Sequence, residues 1–160
     1  MYNDDDIIEH EEIEFPWLVF RLSNSLYTVN SKIITSIVIV PEHVTKVPKI
    51  PEYMRGLIHL RGNVIPLLDL RALFDIKSVK GEIKEMVVVL ENDNTSIGII
   101  VDEVLSVENI TPFEETEEII KMCKDKYVSG VAKSEKNNEI LLILDDEKLM
   151  NITEMSDVIE

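Results

Sequence analysis

The chain carries 31 acidic residues against 16 lysines and arginines, with three histidines and one cysteine, so catalysis would have to run mainly through carboxylates. Asp69 and Asp145 each close an apolar run and stand before a short stretch with helical spacing. That position suits an N-cap, whose side-chain oxygen accepts backbone N–H groups of the first turn. A general acid and base would need two carboxylates in one cleft with pKa values driven apart. No spacing among Asp69, Asp102 and Asp145 indicates such a pair. The run Asp93-Asn94-Thr95-Ser96-Ile97-Gly98 has a calcium loop's glycine at its sixth place, but Ile97 and Val104 stand where oxygen ligands are needed. His10, His43 and His59 are far apart, and His59, within Leu57-Ile58-His59-Leu60, is expected to face outward from a strand. Cys123 alone can form neither an internal disulfide nor a cysteine metal cluster, and it reads as a small hydrophobe. Phosphate-cradling loops, dinucleotide fingerprints and glycine-flanked nucleophilic serines are absent as well. The expectation is no catalytic residue, no metal and no cofactor.

The formal net charge of −15 repels phosphate backbones and anionic lipid, which argues against nucleic acid and membrane surfaces as partners. No apolar run approaches the roughly 20 residues that span a bilayer. The N-terminus, Met1-Tyr2-Asn3-Asp4-Asp5-Asp6, is the opposite of a basic signal-peptide start, so a cytoplasmic address without membrane insertion is expected. Residues 1–14 read as a disordered acidic tail.

The positioning elements are mainly strands. Residues 17–22, 33–40, 64–68, 86–90, 97–101 and 140–144 are short runs rich in Val, Ile and Leu, separated by Asn, Asp, Ser, Gly and Pro clusters. Short strands with small gaps predict a barrel or sandwich. Helices are few: residues 114–124 follow Thr111-Pro112 and start acidic, and Leu149, Ile152, Met155 and Ile159 recur at helical steps, predicting a helical tail over 151–160. The chain also repeats itself. Tyr53-Met54-Arg55-Gly56-Leu57 is echoed by Tyr127-Val128-Ser129-Gly130-Val131, and Val64-Ile65-Pro66-Leu67-Leu68-Asp69 by Ile140-Leu141-Leu142-Ile143-Leu144-Asp145. Tyr27-Thr28-Val29-Asn30 is matched to Ile99-Ile100-Val101-Asp102, so the offset grows from 72 to 74 to 76. Two homologous halves follow, about 15–80 and 81–150, each a small β-barrel, with a join near residues 77–85. Halves of about 70 residues are marginal alone and should pack tightly.

Within residues 47–74, Pro48 and Pro51 stiffen the entry, while Gly56 and Gly62 mark tight turns or close backbone approach. Pro66 inside a strand implies an edge or a bulge. Arg61, just before a glycine turn between apolar strands, either braces the turn or anchors a partner. Val47-Pro48 through Pro51, Gly56 and Leu60-Arg61-Gly62-Asn63-Val64-Ile65-Pro66-Leu67-Leu68-Asp69-Leu70-Arg71 resemble the signature of the CheW family of chemotaxis coupling proteins. The likeness extends over residues 15–150, through Leu18-Val19-Phe20, Gly98-Ile99-Ile100-Val101-Asp102-Glu103-Val104, Val128-Ser129-Gly130-Val131 and Leu142-Ile143-Leu144-Asp145.

The resemblance implies a mainly β fold of two five-stranded SH3-like barrels with few short helices. It implies a non-enzymatic adaptor that docks on the regulatory domain of the histidine kinase CheA and on the cytoplasmic tip of a chemoreceptor (a methyl-accepting chemotaxis protein). One departure stands out: the family's acidic partner for the arginine at Arg61 falls here on Ser36 or Ile37, neither of them acidic. The candidate partner contacts are Ile34, Ile37, Gly56, Leu57, Ile58, Arg61, Gly62 and Val64. Alternatives left open are a scaffold of a non-flagellar chemosensory pathway, and a small β-barrel enzyme or ligand-binding protein working through Asp69, Asp102 or Asp145.

Overall fold

The computed structural model describes residues 15–77, 84–122 and 125–152. The expected acidic tail, the centre of the join, Cys123 and the helical tail beyond Ile152 lie outside the described residues. The first half supplies β1 (Trp17–Leu22), β2 (Ser25–Asn30), a 3-10 turn (Ser31–Ile33), β3 (Ile34–Ile39), β4 (Met54–Leu60), β5 (Asn63–Asp69) and α1 (Leu70–Leu73). The second supplies β6 (Met86–Glu91), β7 (Ser96–Val101), β8 (Glu103–Glu108), β9 (Ile110–Pro112), α2 (Glu117–Met122), β10 (Val128–Ser134), β11 (Ile140–Leu144) and α3 (Asp146–Met150).

The strands form a five-stranded sheet, β3-β6-β7-β5-β4, and a six-stranded sheet, β8-β1-β2-β11-β10-β9. The five-stranded sheet takes β3, β4 and β5 from the first half and β6 and β7 from the second. The six-stranded sheet takes β1 and β2 from the first and β8 to β11 from the second, so the lobes do not coincide with residues 15–80 and 81–150. The halves are interleaved. Both outer positions of the six-strand order belong to one run of chain, β8 and β9 with only Asn109 between them, so that sheet must curl back. In the five-stranded lobe, Thr45 reaches from beyond β3 to Leu57 of β4, its N–H donating at 2.9 Å and its carbonyl accepting at 2.8 Å.

The repeat is written into the register. In β3 the pairing with β6 skips Thr35 between Ile34↔Leu90 and Ser36↔Val89, and in β8 the pairing with β1 skips Leu105 between Phe20↔Val104 and Val19↔Ser106. These equivalent positions lie 70 residues apart. The third strands of the halves, β3 and β8, therefore align at an offset of 70, short of the 72 expected from matching Tyr27 to Ile99. Later the offsets are as expected: a bulge at Arg55 between Met54↔Leu68 and Gly56↔Leu67 is matched by one at Ser129 between Val128↔Leu144 and Gly130↔Ile143.

β1 and β6 are buried on both faces, which explains their unbroken apolar runs. Leu18, Phe20, Leu22, Val88 and Leu90 face a central cluster shared by the lobes, with Leu70 of α1 and Leu149 and Met150 of α3. Val87 and Val89 face the interior of the five-stranded lobe with Ile58, Ile65, Leu67 and Ile100. Val19 faces the interior of the other lobe with Ala132 and Leu141. Phe20, Tyr27 and Phe74 stack in a row through the central cluster, with centroids 5.9 Å and 5.5 Å apart. No helix among the described residues is long and apolar enough to cross a membrane.

Candidate functional site

The β4–β5 hairpin stands at the outer edge of the five-stranded lobe, and its alternation decides which side chains reach solvent. Gly56 and Ile58 point inward; Leu57 and His59 point outward, opposite Pro66 and Val64. Gly56 has φ +148°, a region essentially restricted to glycine, and a Cβ there would collide with the Thr45 carbonyl oxygen that bonds Leu57. Its role is close backbone approach. Ile58, only 4% exposed, fills the lobe interior. Neither Gly56 nor Ile58 can serve as a surface contact, a correction to the sequence expectation that follows from strand alternation. Ile34 is half-buried against the central cluster, and Leu57 is half-buried on the outer face.

The remaining candidates are surface groups. Ile37 on β3 is 39% exposed and Val64 is 64% exposed. Leu60↔Asn63 closes the hairpin over a two-residue loop, Arg61-Gly62, with φ of 51° and 82°. Positive φ at both positions is what a type I′ turn requires, because its twist matches that of the strands. Glycine takes this conformation without cost, whereas arginine gives up about 1–2 kcal/mol. The chain thus holds a charged side chain at the hairpin tip against local preference. Ile39, one alternation beyond Ile37, is also exposed on β3 and extends the apolar surface. Period-two reading from Ile37 could have found it.

The other three arginines are engaged. Arg55 donates to Asp69 at 2.6 Å and to both oxygens of Glu85 at 3.0 and 3.2 Å. Hydrogen bonding to Glu85, and then to Asp69, holds its pKa above the ordinary value despite the opposing effect of burial. Arg71 Nη2 lies 2.5 Å from Asp102 Oδ1 in a buried ion pair, as a charge contact and not an aligned hydrogen bond. Arg21 pairs with Glu103. Arg61 makes no hydrogen bond or ion pair with any described residue, so no carbonyl or carboxylate among them makes it a turn brace.

The carboxylates singled out in sequence are also committed locally. Asp69 accepts the Arg71 and Ala72 amides at 3.0 and 3.3 Å, and Asp145 accepts the Lys148 amide at 3.1 Å, both as N-caps. Asp102 accepts the Ser23 amide at 2.7 Å besides pairing with Arg71. Among the described residues no group of three or more His, Cys, Asp and Glu side chains is placed to hold a metal ion. The Arg55–Asp69–Glu85 and Arg71–Asp102 networks were not legible in sequence, because their members are 14 to 31 residues apart with no motif linking them.

The CheW-like domain profile matches residues 16–154. The chain is 27% identical to the chemotaxis protein CheW of Klebsiella aerogenes over 148 residues, covering 91% of this chain and 87% of that protein. It is 30% identical over 108 residues to a segment of the chemotaxis protein CheA of Borreliella burgdorferi, 65% of this chain and 12% of that protein. The crystal structure of the scaffolding protein TtCheW from Thermoanaerobacter tengcongensis superposes with a TM-score of 0.69 at 27% identity, covering 83% of this chain and 90% of that one.

Proposed function

The chain belongs to the CheW family and is a chemotaxis adaptor that couples receptors to CheA, and we propose that Arg61 at the β4–β5 hairpin tip is the polar anchor of one of its coupling surfaces. The observation that carries this reading is the contrast among the four arginines: three are tied into the fold, and Arg61 is exposed and unpaired among the described residues. On the same lobe, Leu57, Val64 and Pro66 on the hairpin and Ile37 and Ile39 on β3 offer apolar area that can desolvate a charged contact. The fitting partner is a segment with an exposed carboxylate flanked by apolar side chains, which we assign to the cytoplasmic tip of a chemoreceptor. The regulatory domain of CheA is then the second partner, bound elsewhere on the molecule. The CheW family is one of scaffolds and adaptors, and the local commitments of Asp69, Asp102 and Asp145 support recognition without chemistry. A cytoplasmic site of action fits such a coupling role.

The test is titration of a receptor cytoplasmic fragment and of the kinase regulatory domain, separately, against wild type, Arg61→Ala and Val64→Ser. Arg61→Ala should weaken receptor binding by roughly 1–3 kcal/mol, the range for a charged hydrogen bond, and leave kinase binding unchanged. Equal affinities for both partners in all three proteins would remove Arg61 from the coupling surface.

A further inference from the structure

The six-stranded lobe is open at the place where its counterpart is filled. Val38, Ile58 and Leu60 belong to the apolar cluster of the five-stranded lobe. At the offsets of the repeat, 70 and then 74, their equivalents are Glu108, Ala132 and Ser134. Here a cavity of about 430 Å³ has Val19, Leu26 and Leu141 as its apolar wall and Ser106, Glu108 and Ser134 as its polar wall. Strand register explains the grouping. Ser106 lies opposite Val19 and Glu108 follows two residues on, so both share the face that Val19 turns into the lobe.

The hydrogen bonds of the polar wall decide what it can still receive. Ser134 is 2% exposed and its hydroxyl is fully used: it donates to Glu108 and accepts the Lys136 and Asn137 amides at 3.1 and 3.3 Å. Ser106 donates to the other Glu108 oxygen at 2.6 Å. The Lys136 amide also lies near this carboxylate, which offers about four lone-pair sites and so keeps capacity for a further donor. Both serines spend their hydroxyl hydrogens on Glu108, so the wall presents acceptors to the cavity. Of the cations at the mouth, Arg21 pairs with Glu103 and Lys136 is exposed on the turn after β10. We propose that this cavity binds a small molecule with a primary ammonium group on a compact apolar body. The ammonium donates to Glu108, and the body covers Val19, Leu26 and Leu141. A carboxylate ligand meets repulsion from Glu108, and a hydroxyl-rich one leaves polar groups unpaired against the apolar wall. The site is carried by the six-stranded lobe and does not depend on the role of Arg61.

The experiment is an NMR titration of the full chain with isoamylammonium chloride at constant pH. Isoamyl alcohol and isovalerate serve as the neutral and anionic probes of matching shape. Amide signals of Ser106, Glu108, Ala132 and Ser134 should move with the ammonium probe and saturate in the millimolar range, as its few heavy atoms allow. Neither of the other probes should reproduce the shifts. Glu108→Gln keeps the shape of the wall and should weaken binding about tenfold or more through loss of the charge-assisted bond. Ser134→Leu, which copies the residue type of Leu60 into the cavity, should abolish it. If that variant fails to fold, Glu108→Gln and the two other probes still decide the matter. Unmoved signals in wild type would overturn the proposal. Equal shifts from isoamyl alcohol, or wild-type affinity in Glu108→Gln, would overturn it as well by reducing the contact to apolar adsorption.

Discussion

The two lobes share a backbone down to the placement of bulges and differ in what fills and decorates them. In the five-stranded lobe Ile58 is buried in an apolar cluster against which Val38 and Leu60 pack. At the corresponding places in the six-stranded lobe stand Ala132, Glu108 and Ser134. There the Ser106 hydroxyl donates to Glu108 at 2.6 Å and the Ser134 hydroxyl donates to its other oxygen, beside a cavity of about 430 Å³ bordered by Val19, Leu26 and Leu141. Hydrogen-bond register and bulges fix the strand architecture, so the interiors are free to diverge. The five-stranded lobe carries a hairpin whose tip arginine is unpaired among the described residues. The six-stranded lobe has the more polar interior and carries α2 between β9 and β10.

The largest expected difference is between equivalent glycines. Gly56→Ala should destabilise by roughly 3 kcal/mol, because φ +148° is costly for alanine and the Thr45 backbone cannot yield readily. Gly130→Ala should be neutral or stabilising by about 0.5 kcal/mol: its added Cβ meets nothing closer than Ile143 Cδ1 at 3.8 Å. Urea denaturation of the two variants checks this, and equal losses would break the contrast. Next come the N-caps. Asp145→Ala should cost about 1 kcal/mol, the usual value for a lost cap, whereas Asp69→Ala should cost about 2–3 because Arg55 also loses an acceptor at 2.6 Å.

Glu108 gives a pH signature to the six-stranded lobe alone. Burial raises its pKa, but hydrogen bonds from Ser106 and Ser134 outweigh this and hold it below its ordinary value of 4.5. A carboxyl depressed on folding adds stability that is present above its unfolded value and lost as pH falls through its folded value. Wild type should therefore exceed Glu108→Gln in stability at about pH 7, and the gap should shrink by about pH 3. A gap independent of pH would contradict the assignment. The smallest effect is at the hairpin tip: Arg61→Gly should raise stability by roughly 0.5–1 kcal/mol by relieving the left-handed arginine, net of glycine's greater unfolded freedom.

Legibility in the sequence tracked how each residue is used. β1 and β6, buried on both faces, announce themselves as apolar runs; β8, reading Glu103-Val104-Leu105-Ser106-Val107-Glu108, has charged ends and a mid-strand serine and escaped notice. β4 was legible in its Leu57–Leu60 part but not in the residues up to Gly56, and β10 hides behind Gly130 and the polar residues beside it. The helix expected over 114–124 is confined to Glu117–Met122 within the described residues, since its acidic start finds no apolar face to bury. The caps at Asp69 and Asp145 and the outward face of His59 were readable, being local. The interleaving of the halves was not, because strand order across sheets depends on long-range pairing that leaves no local trace. At the candidate site, Arg61 was conspicuous from its glycine turn, but its isolation emerges only once the partners of the other three arginines are known.

The central claim is that the hairpin tip and the outer face of β3 form a coupling surface. Its most direct test is amide hydrogen exchange of the full chain with and without the receptor cytoplasmic fragment. The account predicts protection concentrated at Leu57–Pro66 and Thr35–Ile39 and missing when Arg61→Ala protein is used. Protection confined to other strands, or identical in wild type and Arg61→Ala, would contradict it.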